Sequence, residues 1–231
     1  MKICFLDNSP IPYTPNDLNS KDIRGGENVI IHLSKELAKL NNNVEVFNNN
    51  SESQTFDNVK WTNINNTNKE NVFDYAFTNN DIRLFNKISA KNYIAFSHSI
   101  QSIEKFIRKG QLLSFLKYKP KVIILGKYHD DNRNFLLKLF GKINLQWAVD
   151  PLFLEAEIDD SNVENRAIFT SRRDRNLDIL IDIWKKKIFP KNKSIKLFVT
   201  PSDLIENNFN IYSRNFDNKI SLLKDMLKYK V

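Results

Sequence analysis

The sequence predicts an α/β protein with parallel sheets in two successive domains, the second of them incomplete. Three observations carry this. Short apolar runs alternate with amphipathic helical stretches, the pattern of strands joined by covering helices. The alternation stops at an acidic connector and then restarts. The length of 231 residues exceeds one small domain and falls short of two full ones. The expected domains are 1–150 and 151–231.

The first strand is Lys2–Leu6, followed by a polar, proline-containing loop to Arg24. Glu27–Leu40 reads as a helix with Val29, Ile30, Leu33, Leu37 and Leu40 toward the core. Asn41–Asn43 closes it in place of glycine. Val44–Phe47 is the second strand, and an Asn/Ser-rich loop follows. Weaker strands are expected at Val59–Thr62 and Phe73–Thr78, clearer ones at Tyr93–Ser97 and Val122–Leu125, and one ending near Trp147. Beyond the connector, Ala167–Phe169, an amphipathic helix and Lys196–Val199 begin the second domain. In open parallel sheets ligands sit beyond the carboxyl ends of the strands, so with two such domains the site is expected in the cleft between them.

Apolar residues at 41% and charged residues at 27% match a globular chain rather than a disordered one. Cys4 is the single cysteine, so no internal disulfide can form and a reducing compartment is expected. The N-terminal apolar run stops at Asp7, too early for a signal peptide, and no run approaches the roughly 20 residues of a membrane span. The expected location is the cytoplasm or, at most, the surface of the inner membrane face. The net charge of +8 lies in residues 166–231, where 15 Lys and Arg face 7 Asp and Glu. Residues 104–142 are also basic, 10 against 3, whereas 143–165 hold six acids and no Lys or Arg. Basic blocks of this kind attract phosphates, anionic headgroups or nucleic acid, and a lysine-rich solvated helix face gives the same composition.

Four segments could carry chemistry. Gly25–Gly26–Glu27 opens the first helix, where two glycines let an oxygen-rich ligand approach the backbone N–H groups. A flexible turn would read the same way. His98 directly follows a strand and could orient a hydroxyl or share its proton, or be a polar loop residue. His32 and His129 carry no such placement. In Phe169–Trp184, Arg172, Arg173 and Arg175 crowd the start of a helix whose Leu177, Leu180, Ile181 and Trp184 share one face. Free N–H groups and the dipole there favour an anion, although a solvated basic turn looks alike. Ile103–Lys121 interleaves cations with Ile, Phe and Leu, with Ile103, Phe106 and Ile107 on one face. It suits an anionic membrane or lipid-linked acceptor, or a helix burying its apolar side on the sheet.

Absences narrow the field. There is no G-x-x-x-x-G-K-[ST] loop, no G-x-G-x-x-G turn and no G-x-S-x-G elbow. No D-x-D occurs to hold a nucleotide through a metal, and the histidines and cysteine lack metal-ligand spacing.

Taken together, the motifs resemble the family 4 glycosyltransferases, which have the GT-B architecture of two facing Rossmann-like domains. GGENVIIHLSKELAKLNNNVEVF resembles the family's first motif. WAVDP (Trp147–Pro151) resembles the Asn-Gly-Val-Asp segment entering the second domain, with Ala148 where glycine is usual. FTSRRDRNLDILIDIW resembles the stretch in which an arginine and a lysine contact the donor diphosphate. By that likeness Arg172 matches the arginine, Arg175 replaces the lysine and Asn176 replaces a glycine. Arg for Lys keeps the charge and changes the geometry. His98 falls where the family often has an active-site histidine.

The resemblance implies sugar transfer from a UDP- or GDP-linked donor to a hydroxyl of a glycan or lipid-linked acceptor. It further implies retention at the anomeric carbon, no required metal and no cofactor beyond the nucleotide sugar. Gly25 and Gly26 with Arg172, Arg173 and Arg175 would bind the diphosphate, and His98 would face the acceptor. The family's Glu-x7-Glu motif is missing, because none of the ten glutamates has another eight positions on. A truncated frame, a fragment or a partner chain would each account for that. A non-catalytic relative needing a partner is therefore the competing expectation. A basic nucleic-acid-binding protein is a third; it would show steep salt dependence and exposed aromatics, and nucleic acid is not expected as a partner.

Overall fold

The computed structural model describes residues 1–18, 23–98, 100–146, 148, 154, 166–171 and 175–199. The chain divides into two compact units, Met1–Val149 and Asp150–Val231.

The first unit is built on an eight-stranded sheet in the order β3-β4-β2-β1-β5-β6-β7-β8. Its strands are β1 (Lys2–Leu6), β2 (Asn43–Asn48), β3 (Gln54–Phe56), β4 (Val59–Asn63), β5 (Val72–Asn79), β6 (Ser89–Phe96), β7 (Lys121–Ile124) and β8 (Lys142–Asn144). All neighbours are parallel except β3 on β4. From β1 the chain builds outward through β2 and β4, then returns to β5 and builds the other way. That reversal creates a topological switch point between β1 and β5, where sheets of this kind hold ligands.

Strand β4 was expected, whereas β3 and the turn joining it to β4 lie in the stretch read from sequence as loop. Asp57 and Asn58 both take left-handed φ values, 50° and 61°. Successive left-handed residues form the tight hairpin turn that Asn and Asp favour. Strand β6 begins four residues before the expected Tyr93. Its early half is polar and partly exposed, and pairing with β5 defines it: Val72 lies opposite Ser89, and Lys91 bridges to Asp74 on β5 at 2.7 Å.

Alternation along β1 feeds both faces of the sheet. Cys4 and Leu6 join Phe47, Phe73, Ala76 and Ile124 in one buried cluster. Onto it pack α2 (Ile103–Arg108), α3 (Leu112–Tyr118) and α5 (Phe135–Lys138) through Phe106, Phe115 and Leu137. Ile3 and Phe5 join Val44, Val46, Val59 and Trp61 on the opposite face, covered by α1 (Gly25–Lys39). The short α4 (Lys127–Asp131) follows β7.

Helix α1 starts two residues earlier than expected, and its buried stripe is Glu27, Ile30, Ile31, Ser34 and Ala38. Leu33 and Leu37 flank that stripe, and Leu40, expected inside, is exposed at the C-cap. Asn41 closes the helix at φ 60°, as its sequence position implied.

Phe115 is fully buried, with its ring centroid 4.9 Å from that of Phe106 and 5.1 Å from that of Phe140. Phe115→Ala is expected to lower unfolding stability by about 3–5 kcal/mol. Urea denaturation measures this, and an unchanged midpoint would contradict the packing.

In the second unit β9 (Arg166–Phe169) pairs in parallel with β10 (Lys196–Val199). Helix α6 (Leu177–Ile183) runs into a π-helical turn at Trp184–Ile188. Leu177, Ile181 and Trp184 are buried and Leu180 is partly so, the face expected from their spacing. Phe169 and Val199 pack against Leu177 and Ile181. The other side of the two strands is open: Ile168 and Phe198, opposite one another in register, are 63% and 40% exposed.

Candidate functional site

The carboxyl ends of β1, β5 and β6 bring together residues that sequence reading had only partly connected. After β1 come Asp7 and Ser9; β5 ends in Asn79, with Asn80 and Asp81 beyond; β6 leads to Ser97 and His98; and α1 starts alongside at Gly25.

At the centre is Asp7, 3% exposed. Tyr13 donates its hydroxyl to Asp7 Oδ2 at 2.8 Å, and the Ser9 backbone N–H donates to Oδ1 at 3.3 Å. Asn79 lies near enough to act against that burial and lower the Asp7 pKa. Burial, with the nearby Glu27 carboxylate adding to it, lifts the Asp7 pKa above the usual range against these hydrogen bonds. Glu27 is buried in the first turn of α1 and accepts from Ser9 Oγ at 2.7 Å.

Asn79 also meets His98. Its Oδ1 lies 3.1 Å from His98 Nε2 and accepts from Asn80 Nδ2 at 3.0 Å. His98 and Asn80 thus converge on one amide oxygen. An amide oxygen only accepts, so with Oδ1 facing Nε2 the contact needs a proton on His98 Nε2. In the neutral ring this makes Nδ1 the acceptor nitrogen.

Burial holds the His98 pKa below the usual histidine value, while Glu27 pulls the other way. Protonation is thus disfavoured in the folded state. Any stability His98 contributes is present above its unfolded pKa of about 6.5 and is lost as pH falls toward the depressed folded value. The ring resonances of His98 are expected to inflect below that ordinary value in a pH titration followed by NMR. An inflection at or above it would contradict the burial.

The two glycines differ. A Cβ on Gly25 would meet nothing within 4 Å, and this residue faces open space. A Cβ on Gly26 would lie 2.9 Å from Asn79 Nδ2 and 3.4 Å from His98 Nε2. Gly26 therefore lets the helix start touch the Asn79–His98 pair. Beneath it a cavity of about 10 Å³, lined by Leu6, Val29, Phe77, Thr78 and Phe96, has room for one water at most. A sugar or nucleotide would have to sit on the outer side of the glycine.

The structure thus unites Gly26 and His98, brings in Glu27 from the same candidate segment, and adds Asp7, Tyr13 and Asn79, which sequence reading had not placed in the site. The available signal was positional: Asp7 and Asn79 are the residues at the ends of two strands flanking the switch point. In the second unit Arg175 is described, exposed in the turn before α6, and Asn176 caps the helix in the left-handed conformation at φ 65°. Arg172 and Arg173 lie outside the described residues, as do Trp147 and Val149–Pro151 of the connector. Among the described residues no cluster of three or more His, Cys, Asp or Glu could hold a metal ion.

No protein-family profile and no curated protein sequence matches the chain. Among solved structures the chain is similar to sucrose-phosphate synthase from Thermosynechococcus elongatus. That likeness has a TM-score of 0.58 and 10% sequence identity, and it covers 99% of this chain and 68% of that one. At that identity it is a likeness of fold, and it establishes an α/β, GT-B-like chain.

Proposed function

We propose that the chain acts as a glycosyltransferase, moving a sugar from a UDP- or GDP-linked donor to a hydroxyl of a glycan or lipid-linked acceptor. The observation that carries this reading is the contact of Gly26 with Asn79 and His98 at the switch point of a sheet that shares its fold with a sugar-phosphate-forming synthase. In the reaction the bond between the anomeric carbon and the diphosphate breaks, with its electrons remaining on the diphosphate. The acceptor hydroxyl oxygen bonds to the same carbon and gives up its proton. Arg172, Arg173 and Arg175 stabilise the departing charge, an effect worth about 3 kcal/mol per preorganised donor in general. Gly25 and Gly26 give the diphosphate access to backbone N–H groups. A neutral His98, aligned by Asn79, meets the acceptor hydroxyl. Retention of anomeric configuration and independence of metal belong to the same proposal and follow from the family resemblance.

Calorimetric titration with UDP and GDP tests the proposal. Arg172→Ala combined with Arg175→Ala should weaken binding at least about tenfold, since a charge-assisted hydrogen bond contributes roughly 1.5–3 kcal/mol. Unchanged affinity would remove both arginines from the site.

A second reading draws on the open Ile168 and Phe198 face: a glycosyltransferase-like protein that needs a partner chain over those strands, or is not catalytic alone. Incubating the isolated chain with nucleotide sugars separates the two. Release of nucleoside diphosphate favours the enzyme, whereas binding without turnover favours the partner-dependent protein.

A further inference from the structure

Helices that cover a sheet ordinarily carry one apolar stripe and a polar outer face. Helices α2, α3 and α5 depart from this. Their inner sides deliver Phe106, Phe115 and Leu137 to one buried cluster, which places all three on the same face of the sheet. Their outer sides still present Ile107, Leu113, Leu116, Phe135 and Leu139 to solvent, with Leu113 82% and Leu139 77% exposed. Scattered exposed leucines are ordinary, but five large apolar side chains on or directly after three short helices that pack on one face of the sheet form a surface that water penalises.

Exposed cations stand among these side chains: Arg108 and Lys109 after Ile107, Lys117 after Leu116, and Lys138 between Leu137 and Leu139. The acids of the region are few, and Asp130 is already paired with Arg133 and Lys142. Surfaces that meet another protein are depleted in lysine at their centre. Lysine and arginine mixed with leucine and phenylalanine instead suit an anionic lipid surface, where apolar tips enter the acyl boundary and cations meet headgroups.

We propose that the outer face of α2, α3 and α5 docks the protein on an anionic bilayer. Among the described residues no helix is long and apolar enough to cross a membrane, so the contact is peripheral. The docking stands on its own observations. Only its consequence, an acceptor carried on lipid, rests on the transferase reading.

Sedimentation of the full chain with vesicles tests it, using phosphatidylcholine alone and phosphatidylcholine mixed with phosphatidylglycerol. Binding is expected to the mixed vesicles, weakened by salt. Leu113→Ser with Leu139→Ser should lower the partition coefficient at least about tenfold, given the transfer energy of two leucine side chains. Lys109→Gln with Lys117→Gln should lower it by about fivefold per charge. Circular dichroism and UDP titration of each variant check that the fold persists. Failure of the wild-type protein to bind anionic vesicles would overturn the proposal. So would equal binding by all variants, or self-association that depends on Leu113 and Leu139 without vesicle binding. Vesicle binding in a protein that takes up neither UDP nor GDP would sink the transferase reading and leave the docking intact.

Discussion

Gly26→Ala is expected to remove most nucleoside diphosphate binding and to destabilise the fold, while Gly25→Ala leaves the fold intact. The positions are adjacent in the first turn of α1, and exchanging glycine for alanine in a helix generally favours the helix by roughly 0.5–1 kcal/mol. At Gly25 nothing opposes that gain, since a Cβ meets no atom within 4 Å. At Gly26 the new Cβ would sit 2.9 Å from Asn79 Nδ2. Asn79 has little room to yield, because its side chain is buried and tied to Asn80 and His98. Either the helix start shifts outward or these hydrogen bonds break, and leaving a buried polar group unpaired costs about 1–3 kcal/mol. Calorimetry with UDP or GDP and thermal unfolding on both variants measure the difference. Equal behaviour of the two alanines would show that Gly26 has no special role.

Asn79→Asp is expected to raise the His98 pKa and impair ligand binding. Asparagine presents a neutral amide oxygen to His98 Nε2, where aspartate would present a carboxylate. The aspartate would place a second acid against the buried Asp7, whose pKa is already lifted. It would also place negative charge beside His98 Nε2, favouring the imidazolium. The pH at which the His98 ring titrates should therefore move upward in this variant. A purely structural role for Asn79 would destabilise the protein without that shift. Asn79→Ala should lower stability by about 1–3 kcal/mol, because the His98 ring and the Asn80 amide both lose the acceptor they share. An unmoved His98 titration in Asn79→Asp would show that Asn79 does not govern the histidine.

The parallel strands were legible because period-two and continuous apolar runs such as Lys2–Leu6 and Lys121–Ile124 need no partner to be recognised. Strand β3 was not, since Gln54–Phe56 carries little apolar signal and pairing with Val59–Trp61 defines it. Helix α1 was found, but its inner stripe was misjudged because Ser34 and Ala38, fully or nearly buried, are poor hydrophobic markers, whereas Leu40 looks like core and lies past the last turn. In the site, Gly26 and His98 stood out by residue type and placement. Asp7, Tyr13 and Asn79 did not, because their roles arise from contacts across 6 to 72 positions of sequence, such as the Tyr13 bond to Asp7 and the β1–β5 register joining Ile3 to Tyr75. The basic outer face of α2 and α3 was foreshadowed by the interleaving in Ile103–Lys121, but only packing reveals that Phe106 turns inward while Ile107 stays out.

Titrating the isotope-labelled chain with UDP and with GDP, followed by amide and histidine-ring NMR, tests whether the switch point between β1 and β5 receives a nucleotide sugar. Saturable shifts are expected at Gly26, Asn79 and His98 with one of the two nucleotides, and none in Gly26→Ala. Saturation elsewhere in the chain with these three signals unmoved, or no binding of either nucleotide, would contradict that placement.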